Sequence, residues 1–125
     1  MNIEKHIDYW RRGSDEDEET AGILLEKGKL REGLFFMHLS MEKILKALVT
    51  RTTAAPPPKI HNLVQLLHRA DLSIDQQWLE LFRVLNGYCT EGRYPGDVAP
   101  PPSPEQAGKI FRQAQEVREW LIRQC

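Results

Sequence analysis

A chain of 125 residues is long enough for one domain that buries about two-thirds of the surface its unfolded form exposes, so it can fold without staples. Charged residues make up 28% and hydrophobic residues 41%, the balance of a soluble globular protein, and a formal net charge of -1 argues against a duplex-coating nucleic-acid binder. Cys89 and Cys125 lie far apart, with neither metal-ligand spacing nor the density of a disulfide framework. The segment Met1 to His6 lacks an apolar core and no stretch approaches about 18 apolar residues, so the expectation is a cytoplasmic protein without membrane contact.

The apolar positions follow a helical period nearly everywhere. Ile3, Ile7 and Trp10 are in phase with Ala21, Leu24 and Leu25, because the interval from Trp10 to Ala21 makes about three turns. One helix therefore carries both sets, and Gly13 with the acidic run Asp15-Glu16-Asp17-Glu18-Glu19 predicts fraying or a kink inside it. Gly28 ends this helix, and the short turn to Leu30 forces the next one antiparallel. Leu30, Leu34, Met37, Met41, Ile44 and Leu48 then form one stripe, which Phe35, Leu45 and Val49 widen as burial against two partners requires.

After Arg51 the composition turns to Thr52-Thr53-Ala54-Ala55-Pro56-Pro57-Pro58, an extended connector, since three prolines remove three amide donors and push their predecessors out of helix. A short helix follows with Leu63, Leu66, Leu67 and Ala70 as its apolar face and His61 or Asn62 at its start. Ser73-Ile74-Asp75-Gln76 has the pattern of a capping box opening a helix through Trp78, Leu81, Phe82, Leu85 and Tyr88. Gly92 to Pro102 is a Pro-rich loop, and Ser103-Pro104-Glu105-Gln106 is a second capping box with proline at the favoured first position. The last helix buries Ala107, Ile110, Phe111, Ala114, Val117 and Leu121. No segment alternates with period two. The expected fold is all-α, an antiparallel up-and-down four-helix bundle with an additional short helix, as a single domain over residues 1–125.

Three groups of residues carry chemistry that packing does not require. Lys43 and Lys46 can face a cleft near the connector and attract phosphate, or Lys46 can form an exposed ion pair with Glu42 four residues before it. His61 can donate to a phosphate at the amino terminus of the third helix, with Asn62 beside it, or can be a capping or buried histidine bonded to the backbone of the connector. Arg93 can fork onto phosphate while Tyr94 offers a stacking face, or the two can lock their loop, with Arg93 paired to an acid such as Asp17. The acidic run reads as a solvated face. No Glu is followed three residues later by His, and there is no Gly-rich phosphate loop, nucleophile elbow or Cys/His cluster, so neither a metal nor a cofactor is expected.

The order of Trp10, Asp17, Ala21, Leu24-Leu25, Gly28, Phe36, Glu42-Lys43-Ile44-Leu45-Lys46-Ala47-Leu48, His61-Asn62-Leu63, Leu66-Leu67, Arg93-Tyr94-Pro95 and Trp120-Leu121 resembles the HEPN domain family of small all-helical proteins over nearly the whole chain. The resemblance implies association with nucleotides or RNA, frequent dimerisation and, in prokaryotes, pairing with a separately encoded minimal nucleotidyltransferase in toxin–antitoxin-like modules. Ribonucleases of the family carry an Arg, four to six residues, then a His; the eligible positions after Arg93 hold Val98, Ala99 and Pro100, so that motif is absent. Arg31 and His38 have the spacing but lie in the second helix, away from the place of the family motif. The expectation is a noncatalytic, homodimeric nucleotide- or RNA-binding module acting with a nucleotidyltransferase-type partner, with Lys43, Lys46, His61, Asn62, Arg93 and Tyr94 as its ligand-binding set. The alternatives are a ribonuclease toxin with an atypical active site and a purely structural interaction domain.

Overall fold

The structure, a computed structural model, describes residues 2–90 and 101–125, Thr90 without its side chain. Five helices are described: α1 (Ile3–Glu26), α2 (Leu30–Thr53), α3 (Leu63–Arg69), α4 (Gln76–Thr90) and α5 (Pro104–Gln124). No described residue is in a strand. The fold is the all-helical bundle that the periodicity predicts, with α3 as its short element.

α2 is the central rod: it touches each of the other four helices, and 14 of its 24 residues are buried. Leu34, Met37, Met41, Ile44 and Leu45 have no exposed surface, and Phe82 and Leu85 of α4 and Val117 and Leu121 of α5 close the core over them. Phe35 stands off this stripe, half-buried and edge-on to Phe36.

Local signals set most helix ends. Gly28 adopts φ +78°, the left-handed conformation that favours glycine, and the amides of Gly28 and Lys29 bond back to the carbonyls of Leu25 and Leu24 at 3.0 and 2.9 Å. α2 runs two residues past Arg51 and stops where Ala54 takes φ 55° before the prolines. Asn62 caps α3, its side chain accepting from the amides of Val64 and Gln65. The Ser103 capping box forms in full, with Pro104 in the first turn. The one at Ser73 does not: Asp75, immediately before α4, accepts from the amide of Trp78 at 2.9 Å instead. A shorter polar side chain two residues upstream loses to a carboxylate already at the N-cap.

α1 is unbroken from Ile3 to Glu26, which corrects the expected fray or kink. Gly13 is a clearance: a Cβ there would meet Cδ of Lys43 at 3.0 Å, so its absence lets Lys43 lie across α1 and reach Asp17, Nζ to Oδ2 2.7 Å. The acidic run is held by cations from two other helices rather than merely solvated. Arg118 of α5 bonds Asp15 and Glu18 with its two terminal nitrogens, and its Nε donates to Ser14 Oγ at 2.9 Å. Ser14 and Ser40 complete the joint reciprocally, each hydroxyl donating to the other's carbonyl at 2.8 and 2.7 Å. Charges brought from α2 and α5 offset the repulsion along α1, which a reading of α1 alone does not include.

Arg118 is 5% exposed, and burial lowers its pKa, with Glu119 opposing that shift. Replacing it, as Arg118→Ala, removes a hydrogen bond from the buried Ser14 hydroxyl and leaves Asp15 and Glu18 without their guanidinium. A loss of about 2 kcal/mol is expected by urea unfolding.

Candidate functional site

The site is organised by a carboxylate where periodicity places an ordinary helix-surface residue. Glu42, in the middle of α2, is 5% exposed, and its oxygens accept from two cationic or potentially cationic groups. Lys46 Nζ lies 3.0 Å from Oε2, and His61 Nδ1, from the segment entering α3, is 3.1 Å from each oxygen. The Glu42–Lys46 pair forms but is buried, unlike the exposed pair that was one of the two alternatives, because the connector and α1 fold across this face of α2. Lys46 is 6% exposed, and its ammonium also stands over Trp10 of α1, 5.4 Å from the ring centroid.

His61 is neither buried nor bonded to the connector backbone: its side chain is 64% exposed. A carboxylate holds Nδ1, which donates as N–H, and the opposite edge of the ring faces outward. The expected phosphate position at the start of α3 is not supported. Asn62 occupies the amides of Val64 and Gln65, and Asn86 Oδ1 accepts from the amide of Leu63 at 3.0 Å. A seven-residue helix whose first amides are all engaged has no free donors to offer an anion.

Behind Glu42 lies His38, with no exposed surface. Its Nε2 contacts Asn86 Oδ1 at 3.2 Å, and because that oxygen already accepts from Leu63, Nε2 is the donor. Nδ1 is then left without a hydrogen-bond partner, 3.9 Å from Glu42 Oε1. Burial lowers the His38 pKa, with the Glu42 charge opposing but not overcoming it. The His38 ring, which has the Arg31 spacing, is thus enclosed among Glu42, Asn86 and the core and has no surface open to solvent.

In front of Lys46 opens a cleft of about 740 Å³ between the first half of α1 and the proline connector. Tyr9, Trp10 and Pro56 to Pro58 supply its apolar walls, and Lys5, His6, Arg12, Lys46 and Lys59 its basic groups. Among the described residues that line it, none is acidic. A smaller cavity of about 280 Å³ adjoins it, sharing Tyr9 and Arg12 and adding Gly13, Glu16 and Lys43. Of the ligand-binding set expected from sequence, Lys46 lines the larger cleft and Lys43 the smaller one, while His61 is tied to Lys46 through Glu42. Asn62 is used as a helix cap. Arg93 and Tyr94 lie outside the described residues; Asp17, suggested as a partner of Arg93, pairs with Lys43.

Lys5, Tyr9, Arg12 and Lys59 were not among the expected residues. A signal for them exists: with Ile3, Ile7 and Trp10 inward, Lys5, Tyr9 and Arg12 fall on the outward face of α1, and Lys59 directly follows the prolines. Nothing local says that this face and the connector approach each other.

Comparison with protein-family models matches the HEPN domain over residues 7–125. The chain belongs to the HEPN domain family. That membership ties it to nucleotide- and RNA-related modules. Its fold is similar to the crystal structure of TT1696 from Thermus thermophilus, at 22% identity with all of both chains covered and a TM-score of 0.80. A comparison with curated proteins found no match. No described helix is long and apolar enough to cross a membrane.

Two outcomes test this geometry. Glu42→Gln strips the counterion from a buried ammonium, and a loss of about 3 kcal/mol is expected from denaturant melts. His38 has a folded pKa below its ordinary 6.5, so its contribution to stability is full above pH 6.5 and is lost as pH falls through the folded value. NMR titration is expected to show the His38 ring still neutral where an exposed imidazole is protonated, and His38→Asn is expected to flatten stability against pH in that acidic window.

Proposed function

We propose that this HEPN domain is a noncatalytic nucleotide- or RNA-binding module whose ligand occupies the cleft between α1 and the proline connector. The observation that carries this reading is the lining of that cleft: basic side chains from three segments around aromatic and proline walls, with no acid among its described residues. Such a surface suits a molecule that combines phosphate with a planar, weakly polar base. Lys5 and Lys59 have no ion pair among the described residues and supply the attraction, whereas Arg12 is shared with Asp8 at 2.9 Å and Lys46 is already held by Glu42. Arg93 and Tyr94 stay in the proposed set on the sequence argument alone.

Further parts of the proposal rest on family resemblance: a homodimer, and a minimal nucleotidyltransferase as partner in a toxin–antitoxin-like system. A second reading, a purely structural interaction domain, is favoured by one observation. Lys46, His61 and Asn62 are all consumed in internal hydrogen bonds. His61→Ala would then cost stability and leave every ligand signal unchanged.

The deciding experiment is thermal unfolding with nucleoside triphosphates and short RNAs. A ligand at a hundred times its Kd adds about 2.7 kcal/mol, which for a domain of this size raises the Tm by several degrees. That rise is expected for the native chain and is expected to vanish in the Lys5→Glu, Lys59→Glu double variant, whose exposed positions leave the unliganded Tm nearly unchanged. No rise with any nucleotide and no RNA binding would remove the reading.

A further inference from the structure

The chain has four histidines, and their rings are held differently. His38 is sealed in the core, with Nε2 donating to Asn86. His6 and His68 are exposed, and neither ring has a hydrogen-bonding partner among the described residues, so nothing fixes which nitrogen of the neutral ring carries the proton. His61 joins two conditions that the other three do not. Its side chain is 64% exposed, yet Nδ1 sits 3.1 Å from both oxygens of Glu42, and an ionised carboxylate only accepts.

The hydrogen bond at one ring nitrogen decides what the other carries. With the proton kept on Nδ1, the neutral ring presents an unprotonated Nε2 to solvent. That is the form in which imidazole attacks an electrophile, and a carboxylate behind the ring then takes a share of the positive charge that develops on it. Here the share is limited, because Lys46 already answers Glu42 at 3.0 Å. An adduct that left the ring with an uncompensated positive charge would be poorly held, whereas a phosphoryl group brings its own negative charge. Lys59, two residues upstream and exposed, has no ion pair among the described residues and draws an anionic donor.

We propose that His61 is a phosphoryl-acceptor site, modified on Nε2 by a donor that carries a labile phosphoryl group, an acyl phosphate or a phosphoramidate. The Nε2 lone pair attacks phosphorus and an N–P bond forms. The donor's P–O or P–N bond breaks, and its electron pair leaves with the carboxylate or, from a protonated phosphoramidate nitrogen, with the amine. Nothing is oxidised or reduced, and the Nδ1 proton stays on the ring, held by Glu42. His61 lines neither cavity beside α1, so this site is independent of what the larger cleft binds.

Incubation of the full chain with phosphoramidate just above neutral pH tests this, read by phosphorus NMR and by peptide mapping under alkaline conditions that keep phosphohistidine intact. His61 is expected to react at least about fivefold faster than His6 and His68, and as the Nε2 isomer, with His38 untouched. His61→Gln is expected to remove the fast phase and leave the slow one. The double variant Glu42→Leu, Lys46→Met takes away both members of the ion pair, so that neither charge is left buried alone. In it the His61 rate is expected to fall to that of His6 and His68, and both ring isomers to appear. Reaction of His61 no faster than His6 and His68, or on Nδ1, would overturn the proposal, as would a folded double variant that reacts as fast as the native chain. If the double variant does not fold, the rates and isomer in the native chain decide.

Discussion

A nearly buried negative charge holds together the junction of α1, α2 and the segment entering α3. Glu42 has given up water, and such a transfer is tolerated only when the charge is paired and its remaining lone pairs are used. Lys46 satisfies it from one turn further along α2, and His61 from a segment that follows the proline connector. The carboxylate therefore fixes where the chain re-enters the bundle after α2, and with it the position of Lys59 and the connector wall. Trp10 completes the arrangement by covering the ammonium from α1. Loss of Glu42 would leave the nearly buried Lys46 ammonium without its counterion.

One turn further along α1 the same principle works through α5. Arg118 gathers Ser14, Asp15 and Glu18, and the paired hydroxyls of Ser14 and Ser40 bind α1 to α2. Lys43 closes the third junction through the gap that Gly13 leaves. α1 is thus fastened to the core along one buried stripe by Ile7, Ser14 and Ala21, with the ion pairs of Asp15, Asp17 and Glu18 beside it, and its outward residues face solvent.

Much of the scaffold was legible in the sequence because its determinants are local. The α2 stripe, the Gly28 turn, the Asn62 cap and the Ser103 box each depend on residues within a few positions of one another. The failures share one cause. Whether Gly13 and five acids break a helix depends on Lys43 and Arg118, and whether Glu42 and Lys46 are exposed depends on a connector that returns after the prolines. The cleft was half legible: Lys46 was expected to face one near the connector, but the Lys5, Tyr9 and Arg12 face of α1 joins it only through tertiary packing. Ser73 lost to Asp75 for a smaller reason, two N-cap candidates two residues apart competing for one helix start.

Lys46, at the floor of the large cleft, has its charge largely answered by Glu42, while Lys5 and Lys59 bring cations without an ion pair among the described residues. Attraction of an anion from a distance therefore comes mainly from groups in contact with water. Their reach contracts with ionic strength, to a Debye length of about 8 Å under physiological conditions and about 3 Å in molar salt. Contacts with the aromatic and proline walls do not fade in that way, so salt would slow capture far more than it would loosen what has already settled inside.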